Sequence, residues 1–264
     1  MTIDTEAYTI DIYADGADYE GILELAKNPL IKGFTTNPTL MKQAGITNYE
    51  LFAHDIISAL KLRRPDTNIS LEVFADDHGE MYDQAKKIAS WGARSEYDVY
   101  VKIPVMNTLG ETCYGVIEKL SKEGVKVNVT AIFTPQQTDY VLNALDNKTP
   151  AIVSVFAGRI ADAGIDPEIK MTQCMRKQFE HPRPHAKFLW ASTREVYNLF
   201  QAQRLGCDII TMTHDQIKKL KNVGKDLEQF SRETVQMFYN DAVASGFRID
   251  WYEGIWRKRN FWKG

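Results

Sequence analysis

Short runs rich in β-branched residues alternate along the chain with longer segments of helical spacing. Eight such runs cover residues 9–13, 31–35, 69–74, 99–103, 125–130, 151–156, 187–190 and 208–212. Helical spacing is clearest in 49–62, where Leu51, Phe52, Ile56, Ile57 and Leu60 share one face, and it recurs in 80–91, 111–122, 135–145 and 194–205. Alternating strands and helices favour a parallel sheet, and eight repeats predict an α/β fold of the (β/α)8 TIM barrel type.

Capping and breaking residues predict where several helices begin and end. Asp18 or Thr47 is a candidate N-cap, and Thr134 before a proline suits an N-cap followed by the first helical position. Three glycines fall where helices are expected to stop, and these are Gly92, Gly124 and Gly206.

We predict two parts, a catalytic barrel over 1–222 and a C-terminal helix with an aromatic tail over 223–264. Helical spacing continues through 226–246, and the tail then carries Trp251, Trp256 and Trp262 interleaved with basic residues. Aromatic anchors that pack on the barrel or on a neighbouring subunit explain this tail better than a membrane or nucleic-acid contact, because the stretch is short and the rest of the chain is acidic.

Composition narrows the function classes further. The chain has 264 residues and a net charge of -3, which gives no field for nucleic acid or acidic membranes. Apolar runs are too short to span a bilayer, and the first residues are acidic where a signal peptide is basic. The odd number and wide spacing of Cys113, Cys174 and Cys207 predict a cytoplasmic protein.

No cofactor or metal is predicted. The glycine patterns of dinucleotide-binding and phosphate-binding loops are absent from the sequence. His181 and His185 stand in a proline-rich stretch that predicts a turn, not a pair of metal ligands.

Lys102 is the most informative residue, because it lies inside the apolar run 99–103. Burying an ammonium is costly, desolvation lowers the pKa of an amine, and a neutral amine can attack a carbonyl. Taken alone, Lys102 also fits a strand edge whose charged head reaches water.

The polar residues at the other strand ends favour the buried interpretation of Lys102. Chemistry in a barrel gathers at the carboxyl ends of the strands. There the sequence places Asp15, Thr35, Thr36, Asn37, Glu72, Asn128, Thr130, Ser154, Arg159, Ser192 and Arg194. Buried polar groups need partners, and one shared polar site would pair them all.

Six motifs resemble the transaldolase family of class I aldolases. They are Phe-Thr-Thr-Asn-Pro-Thr (34–39), Ser-Leu-Glu-Val (70–73), Val-Lys-Ile-Pro (101–104), Asn-Val-Thr (128–130), Ser-Val-Phe-Ala-Gly-Arg-Ile-Ala-Asp (154–162) and Trp-Ala-Ser-Thr-Arg-Glu (190–195). The resemblance covers roughly 10–222 and is greatest to the subgroup of small transaldolases and fructose-6-phosphate aldolases. The resemblance implies a cofactor-free enzyme of carbohydrate metabolism, with the pentose phosphate pathway as its expected place.

The resemblance implies a role for each matching position. Lys102 is similar to the Schiff-base lysine, Asp15 to the general acid and base at the C4 hydroxyl, and Glu72 with Thr130 to the pair that positions a water. The implied substrate-binding residues are Thr36, Asn37, Asn128, Ser154 and Phe156, with Arg159, Ser192 and Arg194 as the anion site for a phosphate. Guanidinium groups suit that anion because they bind its oxygens in bidentate fashion.

Two positions bear on the reaction within this subgroup. Fructose-6-phosphate aldolases carry tyrosine where Phe156 stands and glutamine where Glu72 stands. Phe156 has no proton to give to the enamine, which favours transfer of a dihydroxyacetone unit over its release. Val155 and the segment 164–167 depart from the family pattern, so a modified ketose, for example a sulfonated one, stays an alternative.

Two further alternatives stay open, an aldolase that releases dihydroxyacetone and a sugar-phosphate-binding barrel without catalysis. A binder needs neither a desolvated amine nor a base, so Lys102 with Asp15 argues against it. The expected partners are small sugar phosphates and copies of the same chain. A homo-oligomer is predicted, with a pentamer or a decamer as candidates, because small transaldolases have a C-terminal helix that reaches across a ring of subunits.

Overall fold

The protein is described by a computed structural model over residues 8–249. Eight parallel strands close into a barrel in sequence order, with the last strand paired to the first. They are β1 (Asp11–Asp15), β2 (Ile31–Thr35), β3 (Asn68–Glu72), β4 (Asp98–Pro104), β5 (Val127–Ile132), β6 (Ala151–Val155), β7 (Ala186–Trp190) and β8 (Ile209–Thr213). The predicted (β/α)8 TIM barrel is therefore confirmed.

Helices follow every strand. They are α1 (Tyr19–Ala26), α2 (Pro38–Gln43), α3 (Tyr49–Arg63), α4 (His78–Ser95), α5 (Tyr114–Lys122), α6 (Pro135–Ala144), α7 (Ala157–Asp162), α8 (Pro167–Glu180), α9 (Tyr197–Leu205), α10 (His214–Lys219) and α11 (Leu227–Ala244), with a short 3-10 helix at Leu220–Asn222. The chain divides into two compact units between Lys221 and Asn222. All strands belong to the first unit and α11 to the second, while the predicted aromatic tail from Trp251 onward lies outside the described residues.

Several predicted helix ends are correct. Asp18 caps α1 by accepting from the Gly21 amide, and Thr134 caps α6 with a proline at the first helical position. Gly206 ends α9 in the left-handed region at φ 79°, and Gly124 follows α5 at φ 79°.

Two predicted helix ends are wrong. The cap of α3 is Asn48 and not Thr47, since the Asn48 side chain accepts from Leu51 N at 3.0 Å. Gly92 lies inside α4, which continues to Ser95. A Cβ at Gly92 would come within 2.8 Å of Val99 Cβ, so this glycine serves the close approach of α4 to β4.

The barrel interior has an apolar layer below a polar one. A separate buried cluster contains Tyr13, Ile152, Leu189, Ala191 and Ile209, with Tyr100 packed against it. The Tyr13 ring lies over Gly33, where a Cβ would be 2.6 Å away. Since side chains alternate along a strand, the residues two positions after Tyr13, Tyr100 and Ile152 face the same interior. Those residues are Asp15, Lys102 and Ser154, which places the predicted polar residues above an apolar floor.

The thiols of Cys113, Cys174 and Cys207 are free and buried. Within residues 8–249, no helix has the length and apolar character needed to cross a membrane.

The close packing at Gly92 yields a stability prediction. Gly92→Ala should lower the free energy of unfolding by about 1–3 kcal/mol, because its methyl group would overpack against Val99 and against the Tyr97 carbonyl at 3.0 Å. Gly115→Ala in α5 is the matched control, since nothing lies within 4 Å of its Cβ, and it should gain about 0.5 kcal/mol. Chemical denaturation of both variants checks this, and equal effects would contradict the packing argument.

Candidate active site

Lys102 lies on β4 at the mouth of the barrel and is only 7 % exposed. Its Nζ donates to the Thr36 carbonyl oxygen at 2.7 Å and lies 3.1 Å from Glu72 Oε2. The register of β3 and β4 places Glu72 directly beside Lys102. The buried ammonium is therefore paired and hydrogen-bonded, as a charge away from water must be.

Asp15 ends β1 on the same interior face and is hydrogen-bonded to a pair of threonines. Thr35 Oγ1 donates to Asp15 Oδ1 at 2.7 Å, and Thr35 Oγ1 lies 2.6 Å from Thr211 Oγ1. Burial raises the pKa of the Asp15 carboxyl, and Lys102, the Thr35 hydrogen bond and His214 act in the opposite direction. A carboxyl held above its ordinary pKa beside a buried lysine suits proton transfer.

Asn128 lies between two serines and is fully buried. Its Nδ2 donates to Ser70 Oγ at 3.0 Å, and Ser154 Oγ donates to its Oδ1 at 2.6 Å. These bonds fix the orientation of the amide, so that its remaining donor faces a ligand in a defined direction.

Thr130 has a buried hydroxyl without a hydrogen-bond partner among the described residues. The pairing of β5 with β6 is irregular after Val129, where Ala131 takes φ 58°. This irregularity lies directly at the site, as strand bulges often do. An unpartnered buried hydroxyl is costly, so the Thr130 side chain is well suited to hold a water or substrate group.

Thr36 and Asn37 follow β2 and have different environments. Thr36 is fully buried, and its hydroxyl donates to the Ser70 carbonyl oxygen at 3.0 Å. Its carbonyl oxygen accepts from the Lys102 ammonium, so Thr36 holds the lysine through its backbone. Asn37 caps α2 through its Oδ1, which accepts from Leu40 N at 3.0 Å and leaves its amide N–H groups to donate elsewhere.

The predicted anion site is partly neutralised by an acidic residue that the sequence analysis overlooked. Arg194 Nε donates to Asp162 Oδ1 at 2.9 Å, and Nη2 is also bonded to that carboxylate. Arg194 holds the pKa of the Asp162 carboxyl below its usual value, and Arg159 adds to this. Both side chains of the ion pair are about half exposed, so its electrostatic contribution to stability is small.

Ser192 takes a left-handed backbone conformation, with φ 65°. Its carbonyl accepts from Arg194 Nη1 at 3.0 Å. A Cβ at Gly158 would lie 1.5 Å from that carbonyl oxygen, so only glycine fits there. The loop after β7 is thereby fixed against the start of α7.

Phe156 closes one side of the mouth, directly before α7. Its ring packs against Phe133 with centroids 5.7 Å apart, and the Arg159 guanidinium lies 5.9 Å from the Phe156 ring centroid. No hydroxyl is present at this position, so the ring offers apolar surface and no proton.

A cavity of about 130 Å³ lies at the mouth of the barrel, and its lining does not include Thr36, Glu72 or Arg194. Its lining contains Asp15, Thr35, Asn37, Lys102, Asn128, Thr130, Ser154, Phe156, Arg159, Leu189, Ala191, Ser192 and Thr211. The volume is well below the few hundred Å³ of sites for drug-sized ligands, and it suits a ligand of sugar size. A larger cavity of about 610 Å³ lies by Tyr97 and Lys126, at the amino ends of β4 and β5, the end of a barrel that serves stability.

One group of side chains has the composition of a metal site. Asp139, Glu180 and His181 lie close together on the outer helices. The Lys177 ammonium already lies 2.6 Å from Glu180 and 3.6 Å from Asp139. An ion pair therefore accounts for this cluster, and His181 is the C-cap residue of α8.

Fold and site together define a class of protein, a (β/α)8 barrel with a buried, carboxylate-paired lysine in a small polar pocket at the carboxyl ends of its strands. Comparison with known sequences identifies the family within this class. The chain belongs to the transaldolase/fructose-6-phosphate aldolase family, which it matches over residues 12–250. The predicted family is thus confirmed.

Curated relatives agree with the family. A probable transaldolase of Dehalococcoides mccartyi is 34 % identical over 211 residues, which cover 79 % of this chain and 89 % of the relative. Another from Nitrosopumilus maritimus is 31 % identical over 235 residues, covering 84 % of this chain and 96 % of the relative. A third, from Caulobacter sp. strain K31, is 30 % identical over 229 residues. These names indicate a transaldolase-type enzyme.

Proposed function

We propose that this enzyme is a transaldolase that moves a dihydroxyacetone unit from a ketose phosphate to an aldose phosphate through a Schiff base on Lys102. The observation that carries the proposal is the buried Lys102 ammonium, 3.1 Å from Glu72 and in one cavity with Asp15. A surface lysine would need neither burial nor this pairing.

The first half of the reaction joins Lys102 to the ketose. The ammonium gives a proton to Glu72, directly or through a water on the free Thr130 hydroxyl, and Nζ then attacks C2 of the ketose. The C2 oxygen takes one proton from Nζ and one back from Glu72 and leaves as water, which produces an iminium between Nζ and C2. Asn37, Asn128 and Ser154 line the cavity, and in this proposal they hold the hydroxyls of the bound unit.

The second half breaks the bond between C3 and C4. Asp15 takes the C4 hydroxyl proton, the C3–C4 electron pair moves toward the iminium, and an aldehyde leaves. The enamine that remains on Lys102 is then added to an acceptor aldehyde by the reverse steps, with Asp15 returning its proton. The same carboxyl thus acts as base and as acid.

Phe156 favours transfer over release. Freeing dihydroxyacetone requires a proton on C3 of the enamine, and the Phe156 ring lines the cavity without a group that can supply one. The enamine therefore persists until an acceptor aldehyde binds.

A specific observation favours a second substrate class. Asp162 already neutralises Arg194, which leaves Arg159 as the less engaged cation near the cavity. One remaining positive charge matches a singly charged terminal group, such as a sulfonate, as well as it matches a phosphate. Relative kcat/KM for a ketose 6-phosphate and the corresponding 6-sulfonate distinguishes the two substrates.

Lys102 should form the covalent adduct. Borohydride added with a ketose donor should reduce the iminium and leave a stable mass increase on the peptide that contains Lys102. Lys102→Arg should abolish adduct and turnover, because a guanidinium stays protonated and cannot form the iminium. Lys126→Arg, a half-exposed lysine paired with Asp98, is the control that should keep both. Adduct on another lysine would refute the mechanism, and wild-type sugar binding without adduct would indicate a binding barrel.

Phe156→Tyr should increase release of free dihydroxyacetone relative to transfer. A well-placed general acid contributes roughly a hundredfold or more, so release without acceptor should rise clearly. Coupled assay of free ketone, with and without acceptor aldehyde, measures the ratio. An unchanged ratio in a variant that still forms the borohydride adduct would contradict the role given to Phe156.

We also propose that the enzyme is a cytoplasmic homo-oligomer, since free buried thiols fit a reducing compartment and α11 has large exposed apolar side chains. Phe230 and Phe238 are 40 % and 62 % exposed, and no residue of α11 is buried. Light scattering should give a mass well above the 30.1 kDa of one chain, and Phe238→Asp should lower it. Asn240→Asp is the matched control on the same helix, and a monomeric wild type would refute the proposal.

A further inference from the structure

His214 lies behind the predicted base in a space that two glycines leave open. It is the first residue of α10, and the residue before it, Thr213, is the register partner of Asp15 in the β1–β8 ladder. A Cβ at Gly16 would be 2.4 Å from His214 Nε2, and a Cβ at Gly21 would be 2.7 Å from Nδ1. The imidazole therefore packs closely between the loop after β1 and the first turn of α1, and a Cβ at Gly21 would also meet Asp18 Oδ2 at 2.6 Å.

The ring of His214 is closely packed and has one nitrogen without a partner among the described residues. Its Nε2 is buried and has no hydrogen-bond partner among residues 8–249. A ring held only by packing would be replaced by an apolar side chain at no cost, because a buried unpaired nitrogen is unfavourable. The imidazole lies against Gly16, the residue directly after Asp15. The Gly16 amide donates to the Thr35 carbonyl oxygen at 3.0 Å.

We propose that His214 is a positioning residue for Asp15, because its ring packs against Gly16 and holds the Asp15–Gly16 backbone in place. This inference rests on the proposed function, in which Asp15 is the base for carbon–carbon cleavage. His214 does not touch the reacting atoms and acts through Asp15.

The charges around the two groups define the sign of the coupling. Burial lowers the pKa of His214, while Asp18, Asp15 and Asp215 raise it and Lys218 lowers it. Burial raises the pKa of Asp15, which Lys102, Thr35 and His214 lower. Burial thus lowers the pKa of His214 and raises that of Asp15, while the charge of each group opposes the effect of burial on the other. On the acid side of the pH range the imidazolium favours the Asp15 carboxylate, and loss of the imidazole makes Asp15 take its proton at higher pH.

His214→Asn should therefore move the acid limb of kcat/KM for ketose cleavage upward by roughly half a pH unit, less than the 1–3 units of a partner in direct contact. Borohydride trapping with dihydroxyacetone is the second readout. This substrate has no C4 hydroxyl and needs no Asp15 base, so its pH profile should not move. His185→Asn, at an exposed histidine before β7, should leave both profiles unchanged.

A double-mutant cycle tests the packing half of the inference. Gly16→Ala should lower the melting temperature in the wild-type background, because its methyl group would meet the His214 ring. In the His214→Ala background the space is empty, and the same substitution should cost much less. Additive effects on melting temperature would overturn the packing argument.

The possible outcomes distinguish failure of the role proposed for His214 from failure of the proposed transaldolase function. Wild-type protein that forms no borohydride adduct refutes the transaldolase proposal itself. Adduct formation together with an unmoved acid limb in a folded His214→Asn variant refutes only the role of His214. An equal shift of the cleavage and trapping profiles also overturns it, because His214 would then act on Lys102 or on the whole pocket.

Discussion

The pairing of the Lys102 ammonium is the interaction on which the rest of the site depends. Its partners, Glu72 and the Thr36 carbonyl, come from β3 and from the end of β2, so a closed parallel barrel is needed to bring them to it. A shift of one residue in the β3–β4 register would turn Lys102 or Glu72 to the other face of the sheet. Because an unpaired buried charge is costly, the strand register and the barrel closure that pair Lys102 are needed for stability as well as for the chemistry of the site.

The two layers inside the barrel explain why the pocket is small and polar. Tyr13, Ile152 and Leu189 fill the lower barrel. The next inward-facing residue after Tyr13 on β1 is Asp15, and the next one after Ile152 on β6 is Ser154. Alternation along each strand thus converts an apolar floor into a ring of hydrogen-bonding groups within two residues. Gly33 makes room for the Tyr13 ring, so the floor is fixed by the same close packing that fixes the outer core.

Much of this could be predicted from the sequence because strand ends are local signals. The eight predicted runs overlap the eight strands, and Lys102, Asp15 and Glu72 meet in space because barrel topology gathers strand ends. Long-range contacts could not be predicted. Asp162 at the end of α7 reaches Arg194 in the loop after β7, and Thr211 meets Thr35 only through closure of the barrel. The prediction that Gly92 ends a helix is wrong, because glycine serves both at helix ends and at close contacts between a helix and a strand.

In the proposed reaction Asp15 acts in both directions of proton transfer, and its environment is suited to that role. Burial alone would keep the carboxyl protonated and useless as a base, while the Lys102 charge alone would keep it ionised and a poor acid. The Thr35 hydroxyl and the His214 ring add smaller effects on the side of the carboxylate. A group that accepts a proton in cleavage and returns it in addition works best when neither form is strongly preferred at the operating pH. Because these influences oppose one another, residues outside the pocket can adjust the pKa of Asp15 without a change in any side chain that would contact the sugar.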